Sequence, residues 1–214
     1  MVVLRFNGDY LLMMRSKNHL TLSDAIITLF QRTIILAFIP ILSLGGCSKY
    51  SDDVQKNLTK LKTTKSCQGC DLTGTELVGF DLKNVDLSGS NLTGANLSRV
   101  DLTEANLTNA NLSDANLVMS ILTGAKLVNT NLSRVKLSYA NLSGVDISDS
   151  LLVDTSMNSS KILNSKISNT NMIGANLHSA NLTGTKVSKE TLKNAMLCKT
   201  IMPSGQQDDS GCKR

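Results

Sequence analysis

From Leu72 to Leu197 every fifth residue is aliphatic or a methionine, without a single insertion. Of these 26 positions 20 are Leu, the others being Ile147, Met157, Ile162, Ile167, Met172 and Val187. Against an apolar background of 41%, such a run arises by chance roughly once in 10¹⁰, so the period is structural. Two residues before each aliphatic lies a small side chain, as in Ala95, Ala105, Ala110, Ala115, Ala125, Ala140, Ala175 and Ala180; only Phe80 and Glu190 are bulky there. Neither the 3.6-residue period of a helix nor the two-residue alternation of a strand fits this spacing. It belongs to a coil that turns once per five residues. Composition agrees, because aromatics make up only 3% of the 214 residues and Trp is absent, which excludes a core built around large rings.

Units such as Ala95-Asn96-Leu97-Ser98-Arg99 and Ala110-Asn111-Leu112-Ser113-Asp114 resemble the A(D/N)LXX unit of the pentapeptide-repeat family. The resemblance spans residues 70 to 199. It implies an all-β fold, a right-handed quadrilateral β-helix (pentapeptide-repeat solenoid) whose central Leu and preceding small residue point inward. With four pentapeptides per coil, 26 units make a rod on the order of 31 Å long at the ~4.8 Å spacing of neighbouring strands. Each coil touches only its neighbours, so stability accrues from neighbour contacts and both ends need covers. Asn or Asp precedes the central residue in 15 of the 26 units. These side chains tolerate tight-turn backbone and bond nearby amides, so they are expected to stack outward into ladders with a local structural role. Gly74, Gly79, Gly89 and Gly94 recur in step and are read as turn residues.

Residues 1–46 read as a signal peptide. Arg5, Arg15, Lys17 and Arg32 precede the apolar run Ile34 to Leu44, the layout of an export leader; extending that run backward to span length takes in Gln31 and Arg32, and a mid-membrane Arg costs about 2.5–3.5 kcal/mol. Leu44-Gly45-Gly46-Cys47 resembles the lipobox of bacterial lipoproteins, which implies cleavage before Cys47, acylation there and a membrane tether. The expected location is therefore exported and membrane-anchored, facing a periplasm, an outer membrane or a thylakoid lumen.

Residues 47–69 are read as tether and capping helix, with Ser51 or Asp52 as N-cap and Val54, Leu58 and Leu61 on one stripe; residues 200–214 form a polar tail, and Glu190 at an inward position marks the final coil as irregular. Four further cysteines, Cys67, Cys70, Cys198 and Cys212, allow three pairings. A bridge needs Cα atoms within about 7 Å, whereas the two pairs lie at opposite ends of the rod, leaving Cys67–Cys70 and Cys198–Cys212. Export to an oxidising compartment permits both. The CxxC spacing and the C-x₃-MPxG…C tail also look like those of exported pentapeptide-repeat proteins from cyanobacteria. The CxxC admits a second reading, a thiol–disulfide redox protein using Cys67 and Cys70, although a thioredoxin-type site wants a helix N-terminus in a βαβ setting.

No nucleophile–base pair, phosphate-cradling loop or metal cluster is legible, and His178 is a lone outward residue, so the chain is read as no enzyme, without cofactor or metal. The formal charge of +5 hides an axial gradient: residues 71–119 sum to −5 and residues 120–199 to +5. Lys126, Lys166, Lys186 and Lys189 are expected on one side, as a face for an acidic protein partner or lipid headgroups. Val118, Met119, Ile121, Leu151, Val153, Leu163 and Ile173 are outward apolar positions expected to form a contact patch. Some family members imitate DNA and bind type II topoisomerases, with Phe centres and a strongly acidic surface. Leu centres and a basic distal half depart from that pattern, and no nucleic-acid partner is expected. The role implied is a protein-binding or structural module of the cell envelope or a photosynthetic membrane.

Overall fold

The computed structural model describes residues 49–212 and, in the preceding segment, the backbone of two short strands. Those strands, β1 (Val3–Phe6) and β2 (Asp9–Leu12), pair antiparallel with Val3 opposite Leu12. They belong to a unit, residues 1–48, separate from the rest of the chain. The remaining signal-peptide residues and Cys47 lie outside the described residues.

From Ser66 to Asn181 each residue before a central aliphatic, Asn171 excepted, pairs in parallel with the residue twenty positions later: Ser66 with Asp86, Asp71 with Asn91, Glu76 with Asn96, Asp81 with Asp101, and so on up the rod. Twenty residues per coil means four five-residue sides. Within a side, the amide of the central residue donates to the next coil, as from Leu72 to the Asn91 carbonyl at 2.8 Å, and the following amides close the corner, Thr75 N–H donating to the Leu72 carbonyl at 3.2 Å. Each corner residue has positive φ, whether Gly89 (65°) or Asn109 (61°). Two sides register as strands, β3 (Lys166–Ile167) and β4 (Lys186–Val187), one coil apart.

The central Leu residues and the small residues before them are buried along the rod. Where the small residue is Ser or Thr, its hydroxyl donates to a backbone carbonyl, either in its own turn (Ser90 Oγ to Leu87 O, 2.6 Å) or in the coil below (Thr155 Oγ1 to Leu132 O, 2.7 Å). Buried hydroxyls thus stay satisfied.

The ladder exceeds the 70–199 boundaries at both ends. At the start, the Cys67 amide donates to the Asp86 carbonyl at 2.7 Å, so Cys67 occupies the central position of an additional unit, and Cys70 is the small residue of the Leu72 unit that follows. At the finish, Ile201 still pairs with Asn181, and Met202 packs at the next central position. Both central residues keep the spacing of five, Cys67 from Leu72 and Met202 from Leu197, but Cys67 is not aliphatic and Met202 is followed by Pro203 rather than by a further unit.

Helix α1 (Asp52–Thr64) lies over the first coil. Ser51 is its N-cap, with Oγ accepting from the Val54 amide, and Lys65 ends it in the left-handed conformation. Val54 and Leu61 are buried, and Leu58 packs beside them. Phe80, too large for the narrow interior, is only partly buried and lies under the Lys62 ammonium, 5.0 Å from its ring centroid. At the other end a short helix α2 (Lys189–Leu192), capped by Ser188, replaces one side of the last coil. Glu190 is thereby turned out to solvent, its carboxylate 3.3 Å from Lys193. The chain then closes with an antiparallel pair, β5 (Thr200–Ile201) and β6 (Gln207–Asp208).

Candidate functional site

The outward surface is organised in columns of period twenty. In the Asn91 column the carboxamides turn back on their own chain: Oδ1 of Asn91 accepts from the Thr93 amide at 3.2 Å, and Asn111 and Asn131 do the same with Ser113 and Ser133 at 3.1 Å. Elsewhere they also reach between coils, Asn96 Nδ2 donating to Glu76 at 2.7 Å and Asn116 Nδ2 to Asn96 at 3.3 Å. Where the residue is Asp, hydrogen bonds hold its carboxyl below the ordinary range: the Thr73 hydroxyl and amide act on Asp71, and Gln68 and Ser88 act on Asp86. These polar ladders set backbone geometry; they do not assemble a reactive centre.

Lys126, Lys166 and Lys186 do share a column, which runs Asp86, Asn106, Lys126, Asp146, Lys166, Lys186. Asp146 interrupts it, its carboxylate 3.3 Å from the Lys166 ammonium. Lys189 opens α2, past the end of that column. The basic face is therefore three stacked lysines with one internal countercharge, and Lys189 stands at its distal margin.

The outward apolar residues do not form one patch. Leu151 pairs with Asn131 and Asn171, so it stands with Val153 and Ile173 on the Asn91 side. Ile121 pairs with Asp101 and Asn141 and belongs, with Leu163, to a different side. Met119 projects from the corner before Ile121, at φ 61°. Each side recurs only every twenty residues, so positions close together in the chain fall on different sides.

Cys67 and Cys70 are bonded, with Cα atoms 5.3 Å apart, and so are Cys198 and Cys212, at 4.6 Å. The first bridge lies beneath α1: Cys67 is fully buried, Cys70 nearly so, and the Lys60 ammonium stands 4.0 Å from the Cys70 sulfur. Thiol exchange needs a sulfur open to an attacking thiolate, and neither sulfur of this pair is open. The second bridge fastens the tail to the last coil, where Gly211 donates to the Leu197 carbonyl at 3.3 Å and Lys199 N–H donates to Asp209 at 3.1 Å. Cys67 and Met202 extend the core beyond the 70–199 boundaries, and their spacing of five from Leu72 and Leu197 is the sequence signal for it.

Among the described residues no group of three or more His, Cys, Asp or Glu side chains could hold a metal ion, and no helix is long and apolar enough to cross a membrane. His178 is exposed, with its amide donating to Asn176. An open groove of ≈ 630 Å³ lies where α2 leaves the ladder, between Asn169, Asn171, Lys186 and Glu190. The arrangement offers flat, polar, stacked faces.

No curated protein matches the chain. Among solved structures it is similar to a pentapeptide repeat protein from the Arabidopsis thaliana thylakoid lumen, at 23% identity over 57% of this chain and 82% of that one, with a TM-score of 0.43. It is also similar to the pentapeptide repeat protein Rfr23 from the cyanobacterium Cyanothece 51142, at 27% identity over 66% of this chain and 97% of that one, with a TM-score of 0.40. The family model for pentapeptide repeats matches in eight copies, over residues 66–103, 81–118, 122–152 and 164–194. Those segments cover more than half of the chain and coincide with the twenty-residue ladder. The chain with its five-residue sides therefore belongs to the pentapeptide-repeat family.

Proposed function

We propose that this protein is an exported, right-handed β-helical solenoid, tethered to a membrane through Cys47, that works without catalysis as a protein-binding or structural module of the cell envelope or a photosynthetic membrane. The observation that carries the reading is the ladder of four-sided coils from Ser66 to Ile201, interrupted only where α2 replaces one side of the last coil, which makes a rod with long sides. Members of this family are in general non-catalytic structural or interaction modules. A rod of this kind holds a surface at a fixed distance from its anchor and presents regularly spaced groups to a partner.

The face with Lys126, Lys166 and Lys186, continued by Lys189, is the side we assign to an acidic partner, because its summed charge stays positive after Asp146 is counted. Labelling with a fatty-acid analogue tests the tether. Label in the wild type and none in Cys47→Ser is the expected result; an unlabelled wild type overturns it. Salt-dependent co-purification from native membranes, with the wild type against a Lys126→Glu/Lys166→Glu/Lys186→Glu variant, tests the face. Identical partners for both proteins overturn that assignment. Reversible cycling of the Cys67–Cys70 bridge under mild reductant would instead favour a thiol–disulfide role.

A further inference from the structure

We infer that the corner ridge formed by Met119 and Tyr139, with Ile121 beside it, is a contact surface for an anionic lipid bilayer. The inference rests on the reading that the protein works at a membrane and adds a second, non-covalent attachment on the rod itself.

The ridge is costly where it stands. Every corner residue has positive φ, and most corners are filled by Gly, Asn or Asp, which adopt that backbone readily. Arg99, Met119 and Tyr139, in one column with φ of 60°, 61° and 62°, depart from this, as do Glu104, Arg134, Ser159, Ser179 and Lys199, but among these only Met119 and Tyr139 place a large apolar or aromatic side chain at a corner. Met119 and Tyr139 recover little from packing, since they are 48% and 63% exposed, and Ile121 next to them is 40% exposed. Strain that brings little internal contact points to a contact outside the molecule. The three side chains are contiguous. Met119 and Tyr139 stand on successive coils, the Met119 amide donating to the carbonyl of Ser138 at 3.0 Å, and Ile121 opens the adjoining side.

The charges around the ridge select its occupant. Arg99 lies one coil below Met119 in the same column. Lys136 shares its five-residue side with Tyr139, and Lys161 stands two coils above Ile121. Among the described residues none of these three cations forms an ion pair with a carboxylate. The acids nearby are Asp101, directly below Ile121 and held by Lys83 at 3.1 Å, Glu104 at the next corner of that coil, and Asp114 at the corner before Met119, held by Arg134 at 2.7 Å. A second copy of the chain meeting ridge to ridge would bring like charges together. Three side chains on a convex edge also fall well short of the about 800 Å² per partner buried in a stable protein interface. A bilayer needs neither a groove nor that area. Apolar tips enter the headgroup boundary, the Tyr hydroxyl stays wet, and the long basic side chains reach the phosphates.

The chain contains no Trp, so Tyr139→Trp in the full chain creates a single reporter at the ridge. Asn129→Trp is the control: it occupies the diagonally opposite corner with the same left-handed backbone, φ 54°. Both variants are mixed with vesicles of phosphatidylcholine and phosphatidylglycerol containing brominated lipid, and with vesicles of phosphatidylcholine alone. On anionic vesicles the ridge reporter of Tyr139→Trp should shift to the blue and lose emission to the bromolipid, while the control reporter of Asn129→Trp should do neither. Replacing Arg99, Lys136 and Lys161 together by Gln should weaken that signal by roughly 100-fold in lipid concentration, as expected for three cations near the surface. Equal quenching of both reporters, or quenching of neither on vesicles that sediment with the protein, overturns the ridge assignment and leaves the tether reading intact. If neither variant sediments and wild type takes up no fatty-acid label, both readings fall. A blue shift of the ridge reporter on adding an acidic membrane protein in detergent, without bromolipid quenching, would assign the ridge to a protein partner and also overturn the inference.

Discussion

The two ends of the rod solve one problem by different means. A β-helix exposes at each end a ring of unpaired backbone groups and the last layer of its apolar core, an invitation to stack on another copy. At the amino end α1 lies across the first coil and packs Leu61 and Leu58 against its core. Its bridge, Cys67–Cys70, closes only a tight turn and sits inside the core. At the carboxyl end little apolar area is available. Helix α2 spans only Lys189–Leu192, Met202 is partly buried, and the tail is drawn back by β6, by Gly211 against Leu197 and by Cys198–Cys212. One end is held by hydrophobic burial and the other by a covalent strap. The difference teaches that a solenoid cover needs to seal the last rung, and that packing or a cross-link can each hold the seal.

The largest effect that would break this comparison is at Leu61, which is 2% exposed. Leu61→Ala should lower stability by about 2–4 kcal/mol, whereas Met202→Ala at the opposite end should cost about 1. Denaturant unfolding, with hydrogen exchange at the first and last coils, measures both. A Met202 effect as large as that at Leu61 would remove the distinction between the ends.

Replacing both cysteines of a bridge by Ala should reverse the order. The Cys198–Cys212 link spans 14 residues and should contribute about 3 kcal/mol, against about 2 for the short Cys67–Cys70 link. Thermal unfolding of the two double variants decides the ranking.

Point changes in the covers should be smaller. A Cβ on Gly211 would meet the Leu197 backbone nitrogen at 2.8 Å, so Gly211→Ala should cost about 1–3 kcal/mol by lifting the strap. Exchange protection should then fall at β5 and stay unchanged at Cys67. Ser51→Ala, which removes the α1 N-cap, should cost about 1 kcal/mol and act only at the amino end.

The smallest expected difference is in pH dependence. Asp71 and Asp86 are held below the ordinary carboxyl value of 3.8 by hydrogen bonds, and Lys65 does the same to Asp81. Folded-state pKa values below the unfolded ones mean that this stabilisation is complete above the unfolded value and is lost as pH falls through the folded one. Asp114, Asp146 and Asp208 are lowered as well but are spread over the rest of the rod, so acidification below about pH 4 should raise amide exchange most in the first two coils, where these carboxyls are densest, and less above them. The Asn side chains in the same columns do not titrate. Uniform exchange along the rod at low pH would contradict this account.

Much of the molecule was legible because its repeat is local. A Leu every fifth residue with Ala or Ser two places before it fixes which side chains face inward, and the Ser51 cap with its apolar stripe marks α1. The pairing Cys67–Cys70 and Cys198–Cys212 follows once the ends are known to be far apart. The lysine column was legible only in part: the twenty-residue repeat places Lys126, Lys166 and Lys186 together, but it also inserts Asp146, and α2 carries Lys189 past the column's end. The apolar positions read as one patch fall on separate sides, because neighbours on this surface lie twenty residues apart in the chain.

By itself, then, the sequence determined the five-residue side, the inward and outward register, the scarcity of rings in a core too narrow for them, and the opposite charges of the two halves. These follow from short-range pattern and composition. Only the tertiary structure decided where the ladder starts and stops, since Cys67 and Met202 keep the five-residue spacing but take core positions through contacts with the adjacent coil. It alone also decided which outward groups stack and which charge neutralises which. Those are properties of chain segments brought together a full coil apart, and they depend on closing four corners in succession.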